Sequence, residues 1–291
     1  MAKRLTQRGN GASGALPGDL VWPHVCRRYQ SCVLEYRRSL AKCRRRLSRT
    51  AVHDLRVAIR RLLACVELLR AAGGRDPGVR RQLKEQLAVL GALRDTQVQL
   101  RIVRSDAERA REMEPLVEQL RRLRKRRARA AERELAQGGA ARRLEGFAPG
   151  PAPGGERAVI RLREFIERRL RRAAGSLAAL SSGARLGPLA RHRARVRLRK
   201  LHLILEALRP VWHGDRDGRL SRSLSACQGV IGQVHDRELL LRRIGRLVSE
   251  GRLSGEAARA LNEQMETEKA GRMKACRPLI LRARARSRAC A

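Results

Sequence analysis

A histidine followed by basic residues three, seven and eight positions later occurs twice in this chain, as His53, Arg56, Arg60 and Arg61 and again as His192, Arg195, Arg199 and Lys200. Guanidinium and ammonium groups at that spacing suit the holding of anions. Arginine offers a planar fork that can grip two phosphate oxygens together, and it keeps its charge at neutral pH. The imidazoles add groups that titrate near neutrality. A histidine ringed by arginines could also accept a phosphoryl group, yet neither copy has an evident partner base. No Walker loop, HExxH or nucleophile elbow occurs. The string nearest to an alternating-glutamate ExExK metal site, Glu266-Thr267-Glu268-Lys269, is one residue out of step and falls in a helical region. Binding without catalysis is the expectation, with no cofactor and no metal.

The elements that must carry these residues are amphipathic helices. On a helical wheel, Leu55, Ala58, Ile59, Leu62, Val66 and Leu69 gather on one side, and Arg49, His53, Arg56 and Arg60 on the other. In the second copy Ala194, Leu198, Leu201, Leu205 and Leu208 oppose His192, Arg195 and Arg199. A lone helical histidine is ordinarily a packed or surface residue without a task. Here it recurs in register with the same arginines and off the apolar face, which favours a shared role facing a ligand. A second matching pair follows: Leu90-Gly91-Ala92-Leu93-Arg94-Asp95 answers Ile231-Gly232-Gln233-Val234-His235-Asp236 in the same order and at nearly the same spacing. Two ordered matches point to an internal duplication. The expected fold class is all-α, with two pseudo-symmetric helical-bundle halves.

Periodicity predicts helices near 24–47, 49–70, 77–92, 95–111 and 115–137, and again near 157–181, 188–209, 217–232, 236–250 and 254–284. The expected organisation is a disordered leader over 1–20, a first half over 21–137, a Gly/Pro linker over 138–156 and a second half over 157–285. Asp95 and Asp236 then fall at helix starts, where a carboxylate caps free amides and opposes the dipole. Charge pairing with the basic stripe is the other plain reading of them. A metal site joining them to His53 and His192 has too few ligands in each half to be argued.

Composition narrows the anion. The 291 residues hold 67 Lys+Arg against 28 Asp+Glu, a formal net charge of +39, so the chain gathers polyanions around it. Aromatic residues are only 2% of it, too few for the stacking platforms on which single-stranded nucleic acids are bound. Zinc-finger spacing and a readable helix-turn-helix are also missing. A polymer of phosphate without bases needs charge and no stacking; nucleic-acid binding or granule scaffolding is the alternative. The run Arg121-Arg122-Leu123-Arg124-Lys125-Arg126-Arg127 reads as the solvated face of a helix whose inner side holds Leu116, Leu120 and Leu123. The seven cysteines are odd in number and include no CxxC, which argues against a disulfide framework or thiolate zinc. Cys26, Cys32, Cys43 and Cys65 are expected to be small core residues. No apolar stretch approaches the ~18 residues of a membrane span, and no signal core follows Met1-Ala2-Lys3-Arg4. The expected compartment is the cytoplasm, with no membrane insertion.

The two histidine motifs, with the Leu-Gly-x-x-Arg-Asp and Ile-Gly-x-x-His-Asp segments, resemble the CHAD family, the conserved histidine α-helical domain, over about residues 20–285. The resemblance implies a duplicated helical bundle with a strongly basic central surface or pore that binds inorganic polyphosphate, and an association with polyphosphate granules. Carried onto this sequence, the implied anion contacts are His53, Arg56, Arg60, Arg61, His192, Arg195, Arg199 and Lys200, with Arg49 added from the basic stripe. Two positions depart from the family pattern: Leu63 stands where another basic residue is usual, and His202-Leu203 where Arg-Tyr is usual. Affinity and chain-length preference are the properties those departures touch.

Overall fold

Burying the apolar stripe of each histidine helix against other helices decides the architecture. In the computed structural model, which describes residues 18–75, 78–105, 113–145, 147–150, 155–181, 187–212, 215 and 218–289, the ordered elements are α1 (Gly18–Arg45), α2 (Arg49–Ala71), α3 (Arg80–Val103), α4 (Glu114–Gln137), α5 (Gly139–Glu145), α6 (Gly155–Ser181), α7 (Pro188–Leu208), α8 (Arg219–Ser249) and α9 (Gly255–Ala289). No strand occurs among the described residues. The two histidine helices are α2 and α7. Ser48 caps α2 by accepting from the Ala51 amide at 3.1 Å, which removes one of the helix's free donors. Pro188 opens α7 behind Gly187, and α7 stops at Leu208, two residues short of Pro210. Asp215 holds the start of α8, accepting from the amides of Leu220 and Ser221 at 2.9 Å each.

Every residue assigned to the two apolar stripes is buried, from Leu55, Ile59 and Leu62 on α2 to Leu198, Leu201 and Leu205 on α7. α2 packs on α1, α3 and α7; α8 packs on α7 and α9, and α6 on α7 and α9. The main core draws on all of these helices. A smaller core joins Leu100, Val103, Leu116 and Leu120 to Leu240, Ile244 and Leu247. Between the two cores, α3 and α8 carry a polar layer that includes the buried Thr96, Gln99 and Arg237.

That polar layer explains the largest departure from the sequence expectation. The breaks expected after residues 92 and 232 do not exist: α3 and α8 each run straight through. Gly91 and Gly232 are not among the glycines with positive φ, so neither ends a helix in the usual left-handed way. Asp95 and Asp236 are therefore helix-interior residues and cap nothing. What looked like a helix boundary is a change in what the helix faces.

Within the expected linker 138–156, residues 139–145 are helical, and 146 and 151–154 lie outside the described residues. Gly138 ends α4 with φ 65°, and α5 follows at once with Ala140 and Leu144 buried. Phe147 sets its ring edge-on to Tyr29, with centroids 5.6 Å apart. Of the expected leader, residues 1–17 lie outside the described residues, whereas Gly18 already starts α1; the expected helix over 95–111 likewise passes outside them after Ser105. Cys32, Cys43, Cys65 and Cys227 are buried and Cys26 is half-buried, all as free thiols. Among the described residues no helix is long and apolar enough to cross a membrane, and no group of three or more His, Cys, Asp or Glu is placed to hold a metal ion.

Candidate anion site

Where α2 meets α7, the basic stripes of both helices turn towards the polar layer of α3 and α8. Arg56, Arg60, Arg195 and Arg199 gather there, with Asp95 from α3 and Asp236 from α8 beside them. Burial, then Arg199, Arg56 and Arg195, push the Arg60 guanidinium down to about 8. Burial, then Arg195 and Arg56, push Arg199 down to about 10. A guanidinium with an intrinsic value above ~12 holds its proton wherever water or an anion can reach it; the strain is relieved by recruiting negative charge. The protein supplies only part of that charge. Burial pushes the Asp95 and Asp236 carboxyls up while the arginines pull them back, and among the described residues none of the four arginines closes an ion pair. Arg56 Nη1 and Arg195 Nε, and Arg94 Nη1 beside them, are buried donors without a partner. Unpaired buried donors are costly, and here they belong to arginines that close no ion pair among the described residues, which makes this the candidate binding centre.

Two basic hollows lie on this side of the fold, and the smaller one reaches the cluster. One, of about 180 Å³, is lined by Arg60 and Arg199 together with Glu67, Arg80, Lys84 and Lys200. The other, a cleft of about 780 Å³, lies between the start of α2, α3 and α4 and carries Arg46, Arg49, Arg101, Arg104, Arg124 and Lys125, with no carboxylate among the described residues that line it. Arg94 links the cleft to the cluster, since its guanidinium is pushed down by burial and then by Arg49, and it acts in turn on Arg56.

A CHAD domain profile matches residues 29–245 and again 175–289. The chain belongs to the CHAD domain family. Among solved structures it is similar to the CHAD domain from the plant Ricinus communis, at 17% identity and TM-score 0.65 with 92% of each chain covered. It is also similar to PptA from Streptomyces chartreusis, at 19% identity and TM-score 0.63, with 92% of this chain and 99% of that one covered. At such identities these likenesses speak for the fold. No curated protein matches the sequence.

The CHAD histidine motifs are thus divided by the structure. Arg56, Arg60, Arg195 and Arg199 come together, whereas Arg61 and Lys200 turn elsewhere. Arg61 donates to Glu206 at 2.8 Å and lies 3.4 Å from Glu35; Lys200 donates to Glu67 at 3.2 Å. Each crosses between α2 and α7 to reach a carboxylate on the other helix. Arg49 faces the cleft. His53 is exposed beside Arg94, Arg60 and Arg56, and burial, followed by Arg94, holds its imidazole below the usual value. His192 is exposed with its ring 5.5 Å from that of His235. Burial, with Arg195 and His192 next, pushes His235 down to about 4.

The sequence reading missed His235, Arg94 and Arg127. The first two stand immediately before Asp236 and Asp95 in the repeated segments, so the signal was present. Arg127 belongs to the basic run on α4, whose Arg122, Arg124, Lys125 and Arg126 are solvated as expected; Arg127 alone turns inward, donating to Thr96 and, at 2.7 Å, to the Ala92 carbonyl.

The glycines of the CHAD segments have a local reason. A Cβ at Gly91 would stand 2.7 Å from Arg56 Nη1, and one at Gly232 would stand 3.4 Å from Arg195 Nη2. Each arginine lies across the helix where a side chain is missing. Gly91→Ala should gain up to ~1 kcal/mol of helix propensity, yet displace the Arg56 guanidinium. The expected result is an unchanged or raised melting temperature with anion affinity reduced about tenfold, and a smaller loss for Gly232→Ala. Melting curves and binding isotherms on both variants check this.

Proposed function

We propose that this CHAD protein binds inorganic polyphosphate, without turning it over, at the arginine cluster between α2 and α7. The observation that carries the reading is the set of four mutually repelling, mostly buried arginines with donors left unpartnered. A linear chain of phosphates supplies negative charge and acceptor oxygens without bulk. Bases would add rings, and the residues gathered at the site include no Phe, Tyr or Trp on which to stack them.

We read α1–α4 and α6–α9 as repeats of one unit. Exchange of partners supports this: Arg61 with Glu206 and Lys200 with Glu67 join matching positions of the two copies, and Gly91 under Arg56 is answered by Gly232 under Arg195. The consequence is a single central cluster built by both copies. A role at polyphosphate-rich bodies in the cytoplasm follows from this reading.

The test is displacement of labelled long-chain polyphosphate from the full chain at fixed salt. Polyphosphate should outcompete duplex DNA and single-stranded RNA at equal phosphate concentration, and log affinity should fall linearly with log salt as counterions are released. Nucleic acid binding as well or better would replace this proposal with the nucleic-acid reading.

A further inference from the structure

The 180 Å³ hollow beside Arg60 and Arg199 contains a negative charge of the protein's own. Glu67, on α2, points into it and is met from three other helices. Arg169 of α6 donates to it at 2.8 Å and Lys200 of α7 at 3.2 Å, with Arg80 of α3 at 3.6 Å. Its side chain is only 13% exposed. Arg80 still has a buried Nε without a partner. One carboxylate is therefore shared among several cations, next to a cluster that already lacks anions.

A phosphate chain leaving Arg60 and Arg199 through this hollow meets Lys200 and Arg80 next. Both are held by Glu67. We propose that Glu67 is an internal stand-in for phosphate, occupying the anion path and displaced when a polyanion engages Lys200 and Arg80. The larger cleft near Arg49 carries no such carboxylate among the described residues that line it, so the two basic hollows differ: only the one lined by Arg60 and Arg199 is occupied by Glu67. A short oligophosphate can sit on the cluster with Glu67 in place, whereas a long chain running on through this hollow gains Lys200 and Arg80 only by moving it. Glu67 thereby sets the balance between short and long chains. This inference rests on the polyphosphate reading given above.

The experiment measures affinity of the full chain for long-chain polyphosphate and for tripolyphosphate, at several salt concentrations, in the native protein, Glu67→Gln and Glu164→Gln. Glu164 is an exposed α6 residue paired with Arg168, so its substitution changes net charge equally and away from the path. Glu67→Gln should tighten long-chain binding on the order of tenfold and steepen the salt slope by about one to two released ions. Tripolyphosphate affinity should move by less than about twofold, as should long-chain affinity in Glu164→Gln. Equal changes in the two variants, or weaker long-chain binding by folded Glu67→Gln, overturn the inference while leaving polyphosphate binding intact. Failure of the native protein to bind polyphosphate removes both readings together. Should Glu67→Gln not fold, Glu67→Asp decides: it keeps the charge but shortens the reach to Lys200, and must tighten long-chain binding in the same sense.

Discussion

Replacing Arg60 and Arg199 together by methionine should weaken polyphosphate binding at least about a hundredfold while raising the melting temperature of the free protein. Two charge-assisted contacts of roughly 1.5–3 kcal/mol each are removed from the complex, and each 1.4 kcal/mol is about a factor of ten in affinity. In the free protein the same two groups are a liability. Burial and the neighbouring arginines push Arg60 to about 8 and Arg199 to about 10. Methionine keeps the length of the chain and its contacts with the apolar surroundings but removes the repulsion. Exchanging buried charge for apolar side chains of similar volume has stabilised other proteins by about 1–4 kcal/mol, which for a chain of this size is several degrees. The opposite signs are the point of the measurement. If the arginines were structural, melting and binding would fall together. Because Arg56, Arg60, Arg195 and Arg199 form one cluster, short oligophosphates should lose affinity as well as long ones. Calorimetric melting and isotherms with long and short chains read both quantities.

Most of the helical framework was legible because burial obeys a simple period. Leu55, Ile59, Leu62, Leu198 and Leu201 are all buried, and the stripe opposite them does carry the arginine cluster. Helix ends were legible where proline marks them, as at Pro188 and Pro210. The reading failed where the environment of a helix changes midway. Leu-Gly-x-x-Arg-Asp looks like a stop and a cap, but Gly91 is there to make room for Arg56. Asp95 is part of the charge around the arginines. A one-dimensional pattern cannot separate a glycine that ends a helix from one that lets another helix's side chain cross it.

The site was half legible for a related reason. Positions three and seven after each histidine reach the cluster, whereas the adjacent eighth, Arg61 or Lys200, lies about 100° further round the helix and meets Glu206 or Glu67. The repeated spacing and the family resemblance had placed all of them together. Partners decide the matter, and partners come from other helices. Glu67 shows it most clearly, since nothing in its local sequence distinguishes it from a solvated glutamate. Its role follows only from the meeting of α2, α3, α6 and α7 around it.

Affinity for long-chain polyphosphate should rise steeply as pH falls from 8 to about 5.5, by up to tenfold per pH unit for each histidine that gains a proton on binding. The groups are His53, lowered by burial and Arg94, and His235, lowered by burial, Arg195 and His192 to about 4. In the free protein His235 is neutral over this range, and His53 is biased towards the neutral form by burial and Arg94. A bound polyanion favours the charged form, so their values rise in the complex and binding takes up protons. Internal phosphates of a long chain stay charged throughout, so the ligand adds no opposing change. Asp95 and Asp236, raised by burial, act in the same sense at the acid end by losing negative charge. Fold stability runs the other way for His235. Its folded value lies below the unfolded one near 6.5, so its contribution is full above about 6.5 and is lost as pH falls towards about 4. The free protein should therefore melt lower at pH 5 than at pH 7.5 over the same interval in which the complex tightens. His53→Gln with His235→Gln should flatten the pH dependence of affinity and leave its salt dependence in place. An unchanged pH slope in that double variant would assign the proton uptake to other groups and leave the two histidines as bystanders at the edge of the arginine cluster.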